Sequence, residues 1–300
     1  MDFAYLQSFF IHGDIKGAIE YLQKFPEASE LLEPYVAIFE REQYLRYEVP
    51  SVVDRLLLEY QKYYRDVFYL HTSTEESEEK LFLGLSEVLG IPFTGEEALV
   101  EDLRNTVEKN GLHFQSGKTN GYYGPYVWKE TVPTTYSVEL PSGTRSYTVN
   151  ILRGFVMRSW MDYLTFGQFG TGGWTGEDGV INCVESAYDF ESDRFRVSLL
   201  KHEAQHVLDM ERWKDITPEQ LEYRAKLVEL CYSRDGGLLA KFVSEASPER
   251  RNDSHAVASC RIQKEMESYL EKSLEEIQAR ARELLRQSTS ELDSQSGRRQ

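Results

Sequence analysis

Cysteine is scarce in this chain. Its three residues, Cys183, Cys231 and Cys260, stand far apart, so neither a disulfide framework nor a cysteine-only zinc site can be read, and a reducing compartment fits best. Long hydrophobic runs are missing as well: no stretch of about 18 apolar residues offers a membrane span. The start, Met1-Asp2-Phe3-Ala4-Tyr5, has neither the basic opening nor the apolar core of a signal peptide. A cytoplasmic protein with no membrane partner is the expectation. Positive charge is also in deficit, with 34 Lys+Arg against 50 Asp+Glu and a formal net charge of −16. Long-range repulsion then argues against a nucleic-acid partner and against anionic membranes. Nothing in the pattern specifies an oligomeric state.

What is present divides into two kinds of sequence, and 300 residues suit a catalytic domain with an accessory one. From Asp14 to about Asn110, apolar residues recur at helical spacing and five helices are expected. Asp14 is read as the first cap and Ser51, with Asp54 three residues on, as the cap of the longest helix. After Gly111 the composition turns to Gly, Tyr, Thr and Pro. Two alternating segments, Tyr136–Leu140 and Tyr147–Ile151, flank Pro141-Ser142-Gly143 as a hairpin. A short helix over 159–166, a glycine-rich loop over 167–179 and a strand over 180–184 follow. The chain is then helical from Phe195, with an apolar stripe of Ile262, Met266, Leu270, Leu274, Ile277 and Leu284 at nearly heptad spacing. The fold class is α+β: a helical domain over 1–111, a mixed domain over 112–287, and a polar, disordered tail over 288–300.

The segment Lys201-His202-Glu203-Ala204-Gln205-His206-Val207-Leu208 places His-Glu-x-x-His inside a helical pattern with apolar flanks. Residues four apart share one helix face, so both imidazoles can reach one ion while Glu203 projects beside them. Incidental histidines on a surface helix would satisfy the same motif, but the apolar flanks argue for a buried helix. This segment resembles the active-site helix of the zincin metallopeptidases. The resemblance implies a zinc-dependent hydrolase of peptide or protein substrates, Zn2+ held by His202 and His206, and Glu203 as general base.

A catalytic zinc takes three protein ligands. The metzincin pattern would need Gly and His where Asp209 and Arg212 stand, which excludes that branch. The chain is closer to the gluzincins, whose third ligand is a Glu on a following helix, and Glu222 is the candidate. Glu219 competes but is already explained by capping behind Thr217-Pro218, and Glu229 remains a further ligand or supporting group. The Asp that often follows the ligand Glu by four residues is replaced by Lys226, so Asp209 or Glu229 would have to orient a histidine. The resemblance also implies an oxyanion donor downstream, for which His255 is the candidate ahead of Tyr223 and Tyr232. The glycine-rich loop with Trp174 is the expected place for an extended substrate.

Two other readings compete. A deformylase-like hydrolase would take an upstream Cys as third ligand, here Cys183, although the surrounding Ile181-Asn182-Cys183-Val184 does not match that pattern. A non-catalytic zinc-binding interaction protein would close the site with a fourth protein ligand.

Overall fold

The structure, a computed structural model, describes residues 1–176, 178–251 and 253–297. The chain is mixed α and β and forms two compact units, neither contiguous in sequence. The first comprises Met1–Thr131 and Leu152–Thr171; the second comprises Val132–Ile151 and the chain from Gly172 onward. The boundary expected at residue 111 therefore falls inside the first unit.

The first unit opens with α1 (Phe3–Ile11), ahead of the five expected helices, and α2 (Ile15–Leu22). Asp14 caps α2 as expected, its carboxylate accepting from the Gly17 N–H. After α3 (Ser29–Tyr35), which runs on through a π turn at Val36–Glu40, come α4 (Ser51–Phe68), α5 (Thr74–Leu89) and α6 (Glu96–Lys109). The Ser51 cap is not formed. Ser51 is already helical behind Pro50, and the Asp54 carboxylate turns to the Tyr47 N–H and to Arg46. Ser73 caps α5 instead, and Gly90 ends it at φ 70°, where a side chain would be strained.

Two strands unexpected from the sequence follow, β1 (His113–Thr119) and β2 (Tyr122–Trp128), paired antiparallel with Thr119 opposite Tyr122. Asn120 and Gly121 between them both have positive φ, the geometry of a tight hairpin turn that Asn-Gly favours. With β5 (Met157–Arg158) they form a three-stranded sheet in the order β1-β2-β5. The short helix α7 (Ser159–Leu164) closes this unit, and Ile15, Leu22, Leu57, Tyr64, Phe68 and Trp160 lie in its core.

Between them β3 (Glu130–Leu140) and β4 (Gly143–Arg153) carry the chain out of the first unit and back, as the expected hairpin. They belong to a four-stranded sheet of order β3-β4-β7-β6, in which β7 is Ile181–Val184 and β6, Gly173–Thr175, arises from the glycine-rich loop as an edge strand. The helices of the second unit begin with α8 (Asp193–Phe195), which runs through a π turn at Arg196–Lys201 into α9 (His202–Arg212). Then come α10 (Pro218–Tyr232), α11 (Leu238–Glu245), α12 (Ser254–Met266) and α13 (Leu274–Gly297).

The C-terminal apolar stripe does not lie on one helix. A 3-10 turn at Glu267–Tyr269 separates α12 from α13 and Leu270 is exposed, whereas Ile262, Met266, Ile277 and Leu284 enter the core. The tail expected from residue 288 is helical through Gly297, with Ser288 and Leu292 buried; residues 298–300 of that expected tail lie outside the described residues. No helix among the described residues is long and apolar enough to cross a membrane.

Candidate metal centre

The centre is built on α9 and α10. Helix α9 buries Ala204 and Val207 in the core of its unit, and that placement fixes which face His202 and His206 present. Their rings stand 4.6 Å apart at 77°, edge to face, so the two imidazoles approach one point without stacking. Helix α10 starts with a complete capping box, Thr217 with Gln220, and Pro218 at its first position. Glu219 lies in that first turn. The Thr217 hydroxyl and its own backbone N–H lower its carboxyl below the ordinary range, which is the capping role expected of it.

Glu222, nearly one turn further along α10, faces the histidines. Its Oε2 lies 3.3 Å from His202 Nε2 and its Oε1 lies 3.6 Å from His206 Nε2. Among the described residues His202, His206 and Glu222 are the one His/Cys/Asp/Glu group whose ligand atoms converge well enough to hold a metal ion. Two ligand atoms about 2.0 to 2.1 Å from a tetrahedral ion are about 3.3 to 3.4 Å apart, so these separations fit a single zinc-sized centre. Glu222 Oε2 is buried between His202 Nε2 at 3.3 Å and His255 Nδ1 at 2.9 Å, so the carboxylate sits where the imidazoles converge.

The electrostatics agree with that fit. Burial disfavours charge on His202, but the carboxylates of Glu222 and Glu229 outweigh it and raise the imidazole to about 10. His206 goes the other way, lowered to about 3 by burial and by the charge on His202, and keeps a lone pair free for coordination. Burial opposes charge on Glu222 too, yet the flanking imidazoles hold its carboxyl far below the carboxylate range. The carboxylates of Glu222 and Glu229 thus favour positive charge at this point, which a divalent cation would supply.

Of the two carboxylates offered for orienting a histidine, the structure selects Glu229. Its Oε1 lies 2.7 Å from His202 Nδ1, and the side chain is buried. Seven residues after Glu222 on α10, it holds the far side of the same ring. Asp209 is engaged elsewhere: it accepts two bonds from Arg224, at 2.7 and 3.0 Å, and one from Gln205 at 2.7 Å. Lys226, the residue four positions after Glu222, is buried against Glu245 and over the Phe242 ring.

Glu203 projects beside the pair without joining the ligand group. Burial pushes its carboxyl up, against the opposing pull of His202 and of a hydrogen bond donated by Thr175 Oγ1 at 2.7 Å. His255 lies in the first turn of α12, where the Asp253 carboxylate caps the helix. Its Nδ1 is 2.9 Å from Glu222 Oε2 and its ring faces that of His202 at 6.4 Å, while the side chain is 61% exposed. It therefore borders the centre and stands outside the ligand group. Tyr223 is occupied by Glu265, and Tyr232 lies under the Lys201 ammonium. Cys183 is buried in β7, its thiol pushed up to about 12 by burial, and takes no part in the group.

Thr175 was not legible as a site residue. Nothing in Gly172-Gly173-Trp174-Thr175 marks the hydroxyl, and only the pairing of β6 with β7, Thr175 opposite Ile181, aims it at Glu203. Trp174 alternates to the other face of the strand. Comparison of the chain with protein-family models, with curated proteins and with solved structures finds no match.

Proposed function

We propose that the chain is a zinc-dependent peptidase of the gluzincin kind, acting on peptide or protein substrates. One observation carries the reading: Glu222 meets the Nε2 atoms of His202 and His206 at 3.3 and 3.6 Å while Glu203, the intervening motif residue, stays outside that group. Two imidazoles and one carboxylate suit zinc, and three protein ligands leave a position for water, as a catalytic rather than a structural site requires. Zinc, when bound, lowers the pKa of a water toward neutrality and polarises a carbonyl.

The protein's own groups do the rest. Glu203, partly buried and raised above the ordinary carboxylate range, takes the proton of the attacking water and passes it to the leaving amine. Glu229 holds His202 in the tautomer with Nε2 free to coordinate. His255, exposed at the rim beside Glu222, is placed to donate from its ring to the oxygen that gains charge on the substrate carbonyl. The gluzincin reading also accounts for a third ligand supplied by a capped helix after the motif helix, where the deformylase-like alternative would need Cys183.

The test is metal analysis of the purified chain with a peptide-library digest. One zinc per chain is expected, lost on joint replacement of His202 and His206 by Ala, with cleavage by the wild type and none by a Glu203→Gln variant that still binds zinc. A double-His variant that keeps one tight zinc, or a Glu203→Gln variant with wild-type turnover, overturns the assignment.

A further inference from the structure

We infer that Thr175 is a positioning residue for Glu203: the edge strand β6 holds the general base through one side-chain hydrogen bond. This rests on the peptidase reading for its catalytic consequence, though the bond is a feature of the chain itself. Thr175 Oγ1 lies 2.7 Å from Glu203 Oε2, with the Glu203 carbonyl at a longer 3.4 Å. The carboxylate is the better acceptor by distance and by charge.

The backbone leaves the hydroxyl little freedom. β6 is only three residues long and is pinned antiparallel to β7, with Gly173 opposite Cys183 and Thr175 opposite Ile181. Gly173 and Thr175 share the face turned to the helix side. A Cβ at position 173 would come within 2.4 Å of the Leu199 side chain and 2.7 Å of the Asn182 carbonyl oxygen, so β6 runs close to the turn leading into α9 and glycine is required there. At that approach a short β-branched hydroxyl reaches the Glu203 carboxylate, and its χ1 is restricted by the branching.

One donor on one oxygen has a defined effect. With Oε2 held, the carboxylate cannot rotate about its terminal torsion without breaking a charge-assisted bond, and Oε1 carries no bond from Thr175. Among the described residues the Thr175 hydroxyl bonds to Glu203 and to none of His202, His206 and Glu222, so metal affinity and base orientation are separable.

The experiment uses the full chain loaded with zinc, as wild type, Thr175→Val and Thr175→Ser. Valine keeps the shape and loses the donor; serine keeps the donor and loses the methyl group. Expected are zinc dissociation constants within threefold of one another, a kcat lower by about 10- to 100-fold for valine with KM within threefold, and recovery by serine to within about fivefold of wild type. Crystal structures of the three proteins give a readout independent of turnover: the Glu203 carboxylate on residue 175 in wild type and serine, and rotated away in valine. Wild-type kcat in the valine variant, or serine as impaired as valine, overturns the proposal. If the wild type cleaves no peptide, the peptidase reading fails by itself, and the structures decide the positioning: a Glu203 carboxylate unmoved in the valine variant rejects it.

Discussion

Replacing Glu229 measures how strongly a single buried carboxylate tunes the metal site. Its Oε1 meets His202 Nδ1 at 2.7 Å, and the residue is 5% exposed, so water cannot take over as acceptor when the carboxylate is removed. A hydrogen bond to a charged group contributes about 1.5 to 3 kcal/mol, which corresponds to roughly 10- to 150-fold in zinc affinity. That range agrees with the 10- to 100-fold commonly lost when a group orienting a metal-bound histidine is removed. Glu229→Gln keeps an acceptor but no charge and belongs at the lower end; Glu229→Leu leaves Nδ1–H unpaired and belongs at the upper end. The assay is competition for zinc between the full chain and a chromogenic chelator at fixed pH. Glu219→Gln is the control, because Glu219 lies in the capped first turn of α10 and should leave zinc affinity within threefold. Equal affinities for wild type and Glu229→Leu, or a larger loss for Glu219→Gln than for Glu229→Leu, would refute the reasoning.

Other consequences are testable in the same protein. Asp209 and Arg224 are 1% and 3% exposed, so Asp209→Asn, which strands a buried guanidinium, should destabilise the second unit by about 3 to 5 kcal/mol in urea unfolding; a loss under 1 kcal/mol contradicts the pairing. Glu219→Gln should change stability by only a few tenths of a kcal/mol, about the scale of helix-end electrostatics, with zinc affinity unaltered in the chelator assay. In the first unit, burial raises the phenols of Tyr60, Tyr64 and Tyr163, Tyr60 to about 12 against an ordinary 10.0. Below pH 10 both folded and unfolded states keep the Tyr60 proton. Between pH 10 and about 12 only the unfolded state loses it, so stability falls by about 1.4 kcal/mol per pH unit for this residue. The chain has 19 tyrosines, so the buried phenols should appear as a cooperative step in absorbance at 295 nm that coincides with unfolding by circular dichroism, and ionisation of all 19 with the fold intact would contradict the burial.

The sequence disclosed parts of this molecule whose causes are local. A capping carboxylate at Asp14, a turn at Pro141-Ser142-Gly143 and the i, i+4 spacing of His202 and His206 act within a few residues of themselves. Glu222 was also within reach, since a capping box explains Glu219 and leaves the next acidic residue, three positions on, free. The misses depend on longer-range causes or on signals passed over. Asn120-Gly121 between β1 and β2 is a hairpin signal in plain view, lost among the glycines and tyrosines around it. The choice between Asp209 and Glu229 could not be made by spacing, because the partner that occupies Asp209 is Arg224, fifteen residues away on another helix. Thr175 acquires its role through the pairing of a three-residue strand. The break after Met266 was hidden by an apolar stripe whose residues reach the core from two helices.

The β3–β4 hairpin also bears on how the protein is made. The chain leaves its first unit after Thr131, returns at Leu152 and leaves again after Thr171, so on the ribosome that unit cannot complete its sheet until β5 and α7 have emerged. By then the hairpin is already outside, ahead of β7 and of the helices of its own unit. Its edge stays open until β7 begins at Ile181, after the 27 residues that follow the end of β4 at Arg153, and its helical cover waits longer, for α9 to α13. An unpaired strand edge is prone to aggregation during that interval, and a break introduced between residues 132 and 151 would interrupt both units at once.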